Sequence, residues 1–137
     1  MIKEIVHDTF FLGIRSVPAT ENDLKTAADL LDTLRANADK CVGMAANMIG
    51  VSKRIIVFND NGVFQTMFNP ELIKKEQPYH TKEGCLSVIG EPRECVRYRK
   101  IKVKWQNERF QTRTKTFEGW TAQIIQHEID HCNGILI

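Results

Sequence analysis

A chain of 137 residues, of which 42% are hydrophobic and 26% charged, is long enough to fold as one domain spanning residues 1–137. The formal net charge is +2 and the basic residues are dispersed, so we expect no direct binding to nucleic acid. No apolar run has the length of a membrane span or of a signal-peptide core, so we expect no membrane association and a cytoplasmic location. These properties leave the oligomeric state open.

The first predicted helix covers residues 20–39. Thr20 can cap this helix, because Asp23 follows at the spacing of a capping box. One face of the helix is apolar and should pack on a sheet. Its members are Leu24, Ala27, Ala28, Leu31 and Leu34.

Small residues dominate the next segment, Cys41-Val-Gly-Met-Ala-Ala-Asn-Met-Ile-Gly50. Their lack of bulk allows the backbone to approach a neighbour or a ligand closely. The segment is therefore predicted to line a site.

Four strands are predicted from β-branched and aromatic residues and from alternating polarity. They cover residues 54–58, 63–68, 100–105 and 110–117. Asn61-Gly62 predicts a tight hairpin between the first two strands, and a turn is expected near Asn107-Glu108. Alternation in the last two strands indicates that one face of the sheet contacts water.

The last predicted helix, residues 120–132, carries Ile124, Ile125 and Ile129 among polar residues and ends near Asn133-Gly134. The predicted fold class is therefore α+β, with antiparallel sheets packed on this helix and on the N-terminal one.

The last helix contains His127-Glu128-Ile129-Asp130-His131. Imidazoles four residues apart project from the same helical face and can bind one metal ion, while the glutamate between them can reach a metal-bound water. Such a site makes Glu128 the general base and acid. The alternative is an amphipathic helix with two polar surface histidines.

A third ligand must come from earlier in the chain, because few residues follow His131 and Cys132 points about 100° away around the helix. Five upstream residues could supply it, namely His7, Cys41, His80, Cys85 and Cys95. Cys85 is favoured because Gly84 lets the backbone turn tightly beside a metal. The alternative for each cysteine is a small buried hydrophobe. A thiolate and two imidazoles are compatible with iron, nickel, cobalt or zinc.

Three motifs in this order, Gly43-Met-Ala-Ala46, Glu83-Gly-Cys-Leu-Ser87 and Gln126-His-Glu-Ile-Asp-His131, resemble those of the peptide deformylase family over nearly the full chain. The resemblance implies a hydrolase that removes the formyl group from the formylmethionine of nascent chains emerging from the ribosome. It implies one divalent ion, usually Fe²⁺.

The resemblance also implies the roles of individual residues. The implied metal ligands are Cys85, His127 and His131. Glu128 is implied as the proton shuttle and the Leu86 backbone N–H as an oxyanion donor. The implied contacts with the substrate are Gly43, Met44, Ala45 and Met48.

Met48 departs from the family pattern, which has glutamine at this position. In the family the glutamine amide donates to the formyl oxygen, whereas a thioether donates nothing. Loss of one such donor costs roughly 100- to 1000-fold in turnover, so we expect reduced activity. Asn47 is not expected to replace it, since neighbouring side chains usually point apart.

Other departures are Cys41 in place of a glycine, Val88-Ile89 where the family has an Ile-Pro pair, and an end at Ile137 without the family's C-terminal tail. We also expect Arg97 to pair with Glu83 and brace the cysteine loop, unless the pair is exposed.

Two alternative functions remain open at this point. The first is a deformylase-like protein with little or no turnover that acts as a binding or regulatory module, which Met48 favours. The second is an amidase for another N-acyl group, with Met48 and Cys41 reshaping the pocket.

Overall fold

The computed structural model describes all residues, 1–137. It contains three α-helices, α1 (Thr9–Leu12), α2 (Leu24–Ala36) and α3 (Gly119–Cys132). Five strands form one antiparallel sheet in the order β1-β2-β3-β4-β5. Their bounds are β1 (Gly43–Ala45), β2 (Ile55–Asp60), β3 (Val63–Glu83), β4 (Arg93–Gln106) and β5 (Thr112–Glu118). The predicted α+β class is confirmed.

The strands join into a single sheet, where the sequence predicted antiparallel sheets, because β3 is much longer than expected. Its first six residues pair with β2, and pairing with β4 runs from Phe68 to Glu83. Register shifts follow Phe68 and Leu72, and Asn69 has a positive φ of 53°, so the strand bends where it changes partner. The bend allows β3 to pair first with β2 and then with β4.

Helix α2 corresponds to the first helix predicted from the sequence. The predicted cap at Thr20 is present, and the helix is shorter than predicted. Thr20 and Asp23 form the capping box, and a 3₁₀ turn, Glu21–Asp23, leads into α2. Leu30 and Leu34 are fully buried, whereas Leu24 is 41% exposed. The buried face is therefore rotated from the predicted one, because Ala27, Leu30 and Leu34 are the α2 residues that pack with β2.

Both faces of β2 are buried, and this places two helices on opposite sides of the sheet. Ile55 and Val57 pack with α2, and Ile56 and Phe58 pack with α3. A strand that is buried on both faces has a continuous apolar sequence instead of an alternating one. The small strand β1 lies beside it, with Met44 in the α2 core and Ala45 in the α3 core.

The outer face of β4 and β5 is exposed to solvent, as the alternating polarity of these strands predicted. Ile101 and Val103 are buried, while Lys102 and Lys104 are exposed. The longest helix has 14 residues, and none is long and apolar enough to cross a bilayer.

Candidate metal centre and active site

Three potential ligand atoms converge between α3 and the end of β3. They are Cys85 Sγ and one ring nitrogen each of His127 and His131, all within 4.8 Å of one another. The histidines are one turn apart on α3, and Cys85 follows β3 by two residues. Of the five upstream candidates considered, only Cys85 joins the histidines. His7 instead lies with its Nδ1 3.0 Å from the carbonyl oxygen of Ser87.

The geometry of the two imidazoles fits a shared metal ion. Their Nε2 atoms face each other at 3.1 Å. Two nitrogens bound tetrahedrally at about 2.0 to 2.1 Å would lie about 3.3 Å apart. The donor set of one thiolate and two imidazoles leaves one position of a four-coordinate ion open.

The electrostatics of the histidine pair also fit a cation. Burial opposes charge on His127, but Cys85 and Glu83 outweigh it and raise the pKa of His127 to about 10. Burial and the neighbouring His127 lower the pKa of His131 to about 3. The acidic groups around His127 therefore favour a positive charge beside the facing nitrogens, and burial keeps His131 neutral, with a lone pair available for a metal ion.

Glu83 orients His127 and is itself held by Arg97. The His127 Nδ1 lies 2.8 Å from Glu83 Oε1, so its Nε2 faces the ligand cluster. Arg97 donates to both oxygens of Glu83 and to Asp130 at 2.7 Å. Although burial alone would raise it, the hydrogen bonds from His127 and Arg97 lower the pKa of Glu83 to about 2. The predicted pair of Glu83 and Arg97 is therefore present, and it is buried.

Glu128 lies between the histidines in sequence and faces the cleft with a carboxylate that is almost fully buried. Its Oε1 has no hydrogen-bond partner in the protein. Burial raises the pKa of Glu128 to about 7, which suits a group that accepts and releases a proton at neutral pH. Gly43 leaves room for this side chain, because a Cβ at Gly43 would lie 2.9 Å from Glu128 Oε2.

The cleft beside these residues has a volume of about 850 Å³. On one side lies a surface that we call the metal wall, formed by residues 83–86 and by the cleft-facing side chains of α3. A second surface, which we call the opposite wall, is formed by the cleft-lining residues of segment 41–48, namely Cys41, Val42, Gly43 and Met48. Trp120 is 61% exposed at the rim of the metal wall.

Leu86 lines the cleft next to Cys85, and its backbone N–H makes no hydrogen bond within the protein. An unpaired N–H beside the ligand cluster can donate to an oxygen atom of a bound substrate. This geometry is consistent with the role implied for Leu86.

The opposite wall places only some of the predicted substrate contacts at the cleft. Gly43 and Met48 line it, whereas Met44 and Ala45 do not and have side chains buried in the two cores. Met48 is 1% exposed, and its sulfur lies 3.5 Å from the Ala45 N–H. The thioether offers no donor to the cleft.

Asn47 does not compensate for Met48. Its side chain is fully buried and donates to the carbonyl oxygen of His131 at 2.9 Å. The amide therefore fastens the opposite wall to the last turn of α3 and does not reach the cleft.

Sequence analysis assigned no role to two glutamines of α3. Gln126 bonds both the N–H and the C=O of Tyr98, at 2.8 Å each. Pairing between β4 and β5 begins at Lys100, so at Tyr98 this glutamine occupies the edge of β4 that a strand would otherwise cover. Gln123 bonds Glu83. The only signal in the sequence was the presence of amides within a largely apolar helix.

Comparison with known proteins identifies close relatives over the whole chain. The family model described as Polypeptide deformylase matches residues 2–137. A peptide deformylase of Clostridium beijerinckii is 53% identical over 137 residues, which is 100% of both chains. One from Carboxydothermus hydrogenoformans is 42% identical over 117 residues, covering 85% of this chain and 76% of its own.

Solved structures of peptide deformylases have the same fold as this chain. The crystal structure of a peptide deformylase from Thermotoga maritima has a TM-score of 0.88 and 33% identity, covering 99% of this chain and 95% of its own. A Met-Ala-Ser-bound class I type b peptide deformylase from Acinetobacter baumannii has a TM-score of 0.88 and 28% identity, covering 99% and 97%.

Proposed function

The chain belongs to the peptide deformylase family and is a metal-dependent hydrolase that removes the N-formyl group of formylmethionyl peptides, and we propose that Cys85, His127 and His131 bind its metal ion. The observation that carries this ligand set is the convergence of the three ligand atoms within 4.8 Å. A bound divalent ion supplies Lewis acidity, which lowers the pKa of water to about 7.

Glu128 is the proposed proton-transfer residue. Water adds to the formyl carbon as its proton passes to Glu128, and the same proton then passes to the departing amine as the C–N bond breaks. The products are formate and a free N-terminus. The unpartnered Oε1 and the raised pKa of this carboxyl support both transfers.

Leu86 is the proposed backbone donor to the formyl oxygen as that oxygen becomes negative. Its N–H is unpaired, and the residue lines the cleft next to Cys85. Met48, at the position where the family has glutamine, cannot add a second donor. We therefore expect turnover lower than that of a variant carrying glutamine at position 48.

Fe²⁺ is the proposed ion, with Zn²⁺, Ni²⁺ and Co²⁺ as the other ions that this donor set suits. Metal analysis of protein purified without oxygen distinguishes them. Substrates of this kind arise on ribosomes, so nascent chains in the cytosol are the proposed substrate pool.

The test is deformylation of a formyl-Met tripeptide by the metal-loaded protein and by Glu128→Gln. We expect Glu128→Gln to retain the metal and to lose about 100- to 10,000-fold in turnover, since proton transfer contributes an effect of this size. Equal turnover in both proteins would contradict the role of Glu128.

Met48 supports one second candidate, a family member that binds formylated peptides with little or no turnover. The same assay separates the two, because the second candidate predicts peptide binding without release of formate. Adding acetyl-Met peptides to the panel tests the remaining alternative, an amidase for another N-acyl group.

A further inference from the structure

Gln123 lies one helical turn before His127 on the same face of α3, at the wall of the cleft. Its Nε2 donates to Glu83 Oε2 at 2.8 Å. Its Oε1 accepts from the Tyr79 hydroxyl at 3.0 Å. Both ends of the amide are therefore bonded to the protein, although the residue borders the cleft.

The two oxygens of Glu83 have different partners. Oε1 faces His127 Nδ1 at 2.8 Å and accepts from the Arg97 Nη2 at 2.7 Å. Oε2 accepts from Gln123, and the Arg97 Nε is shared between both oxygens at 3.1 and 3.0 Å. Gln123 thus holds the oxygen that His127 leaves free, and so opposes rotation of the carboxylate away from the imidazole.

Glu83 determines which way the Gln123 amide points, because a carboxylate only accepts and a flipped amide would set two oxygens against each other. The Tyr79 hydroxyl, which can donate or accept, then donates to Oε1 and anchors that end of the amide. Tyr79 is four residues before Glu83 on β3, so both side chains leave the same face of the strand. The Arg99 guanidinium stacks over the Tyr79 ring at 4.7 Å and holds it in place.

We propose that Gln123, anchored by the Tyr79 hydroxyl, is a positioning residue of the metal centre that fixes the Glu83 carboxylate against His127. This proposal rests on the ligand set proposed above. A carboxylate held in this way keeps the proton of His127 on Nδ1 and leaves the Nε2 lone pair directed at the ion. Neither Gln123 nor Tyr79 contacts the ligand atoms directly.

Removing the Gln123 donor should weaken metal binding and change the geometry at the ion. The variant Gln123→Met keeps the length of the side chain without the amide. The variant Gln123→Glu keeps its shape and sets a second carboxylate against Glu83. The variant Tyr79→Phe removes only the hydroxyl that anchors the amide.

The experiment measures Co²⁺ binding by the full-length, metal-depleted protein in competition with a chelator, together with the visible absorption of the Co²⁺ protein. We expect the Kd for Co²⁺ to rise about 3- to 10-fold in Gln123→Met and more in Gln123→Glu. The effect in Gln123→Met is smaller than the roughly 10- to 100-fold effect of removing a direct partner of a metal ligand, because Gln123 acts through Glu83. Tyr79→Phe should raise it about 2- to 3-fold. The Co²⁺ absorption bands should shift in all three, which a general loss of stability would not cause.

A double variant provides the sharpest test, because Tyr79 is proposed to act only through Gln123. Tyr79→Phe should then change the Kd in the wild-type background and not in the Gln123→Met background. Tyr98→Phe is the matched control, since the Tyr98 ring lies under Lys75 in a similar stack but has no bond to Gln123.

An unchanged Kd and spectrum in Gln123→Met and Gln123→Glu, or an equal effect of Tyr79→Phe in both backgrounds, would overturn the positioning role. If one Gln123 variant fails to fold, the other Gln123 variant and Tyr79→Phe still test the positioning role. Cys85→Ala separates this failure from failure of the ligand set. If Cys85→Ala binds Co²⁺ with unchanged affinity and spectrum, the proposed ligand set is wrong, whatever Gln123 does.

Discussion

The two walls of the cleft are built in different ways. On the metal wall, Glu83 connects His127, Arg97 and Gln123 through hydrogen bonds of 2.7 to 3.1 Å. The opposite wall, within segment 41–48, contributes a glycine without a side chain and a thioether without a donor. The metal wall contains a network of charged side chains, whereas the opposite wall itself contains none, although Asp39 and Lys40 line the cleft next to it.

The difference shows where this site depends on fixed electrostatics. Metal ligands must be oriented and charged correctly, so they require partners that are themselves held in place. The opposite wall must only approach closely and exclude water. Substitutions on the metal wall should therefore disturb both stability and chemistry, whereas substitutions on the opposite wall should act through space and shape.

The largest expected effect is that of Arg97→Ala, which tests whether the metal wall depends on its charge network. Arg97 is 4% exposed, and its removal leaves both Glu83 and Asp130 without the guanidinium that they bind. We expect a loss of about 3 to 5 kcal/mol in the free energy of unfolding, measured with urea on the metal-free protein. Arg113→Ala on the exposed face of β5 is the control and should change stability by less than about 0.5 kcal/mol. Equal losses of stability in the two variants would show that the charge network stabilises the protein no more than an exposed arginine does.

Met48→Gln should break the contrast between the walls by adding a donor to the apolar one. The Ala45 N–H that now faces the sulfur at 3.5 Å could hold the new Oε1 and direct the NH₂ group to the cleft. We expect kcat to rise by about 100-fold or more, equivalent to about 3 to 4 kcal/mol of transition-state stabilisation. Met48→Leu has a similar volume and no donor, so it should leave kcat unchanged. A rise in both variants would point to packing in place of hydrogen bonding.

Gly43→Ala tests whether the opposite wall acts through close approach. The added Cβ would lie 2.9 Å from both Glu128 Oε2 and Ile124 Cγ2. We expect a loss of about 1 to 3 kcal/mol in stability from overpacking, together with lower kcat because Glu128 is displaced. The control is Gly84→Ala, whose Cβ meets nothing within 4 Å. Thermal unfolding and the deformylation assay measure the two effects, and a neutral Gly43→Ala would rule out the steric argument.

Asn47→Ala has the smallest expected effect and examines the polar bond between the walls. Losing the bond to the His131 carbonyl should cost about 1 to 2 kcal/mol in the free energy of unfolding. Because the amide does not face the cleft, kcat should stay close to that of the wild type while the protein is folded. A large fall in kcat without a loss of stability would instead assign Asn47 a role in oxyanion binding.

Local sequence signals predicted several parts of the fold and the site correctly. The capping box at Thr20, the hairpin at Asn61-Gly62 and the end of α3 near Gly134 depend on neighbouring residues alone. The extension of β3 was not predictable from its own residues, which lack alternation and include Pro78. A proline is tolerated there because β3 has a partner on only one edge beyond Phe68, and that partner comes from another part of the chain.

The sequence by itself determined the spacing of His127, Glu128 and His131, because a helix places residues four apart on one face whatever surrounds it. Tertiary structure decided that Cys85 joins the histidines, that Asn47 turns to the His131 carbonyl, and that Glu83 connects Arg97, Gln123 and His127. These contacts join residues 14 to 84 positions apart. Contacts of that kind depend on how the sheet and α3 pack. The Cys85 ligand and the Glu83–Arg97 pair were expected from the sequence, whereas no local pattern indicated the contacts of Asn47 and Gln123.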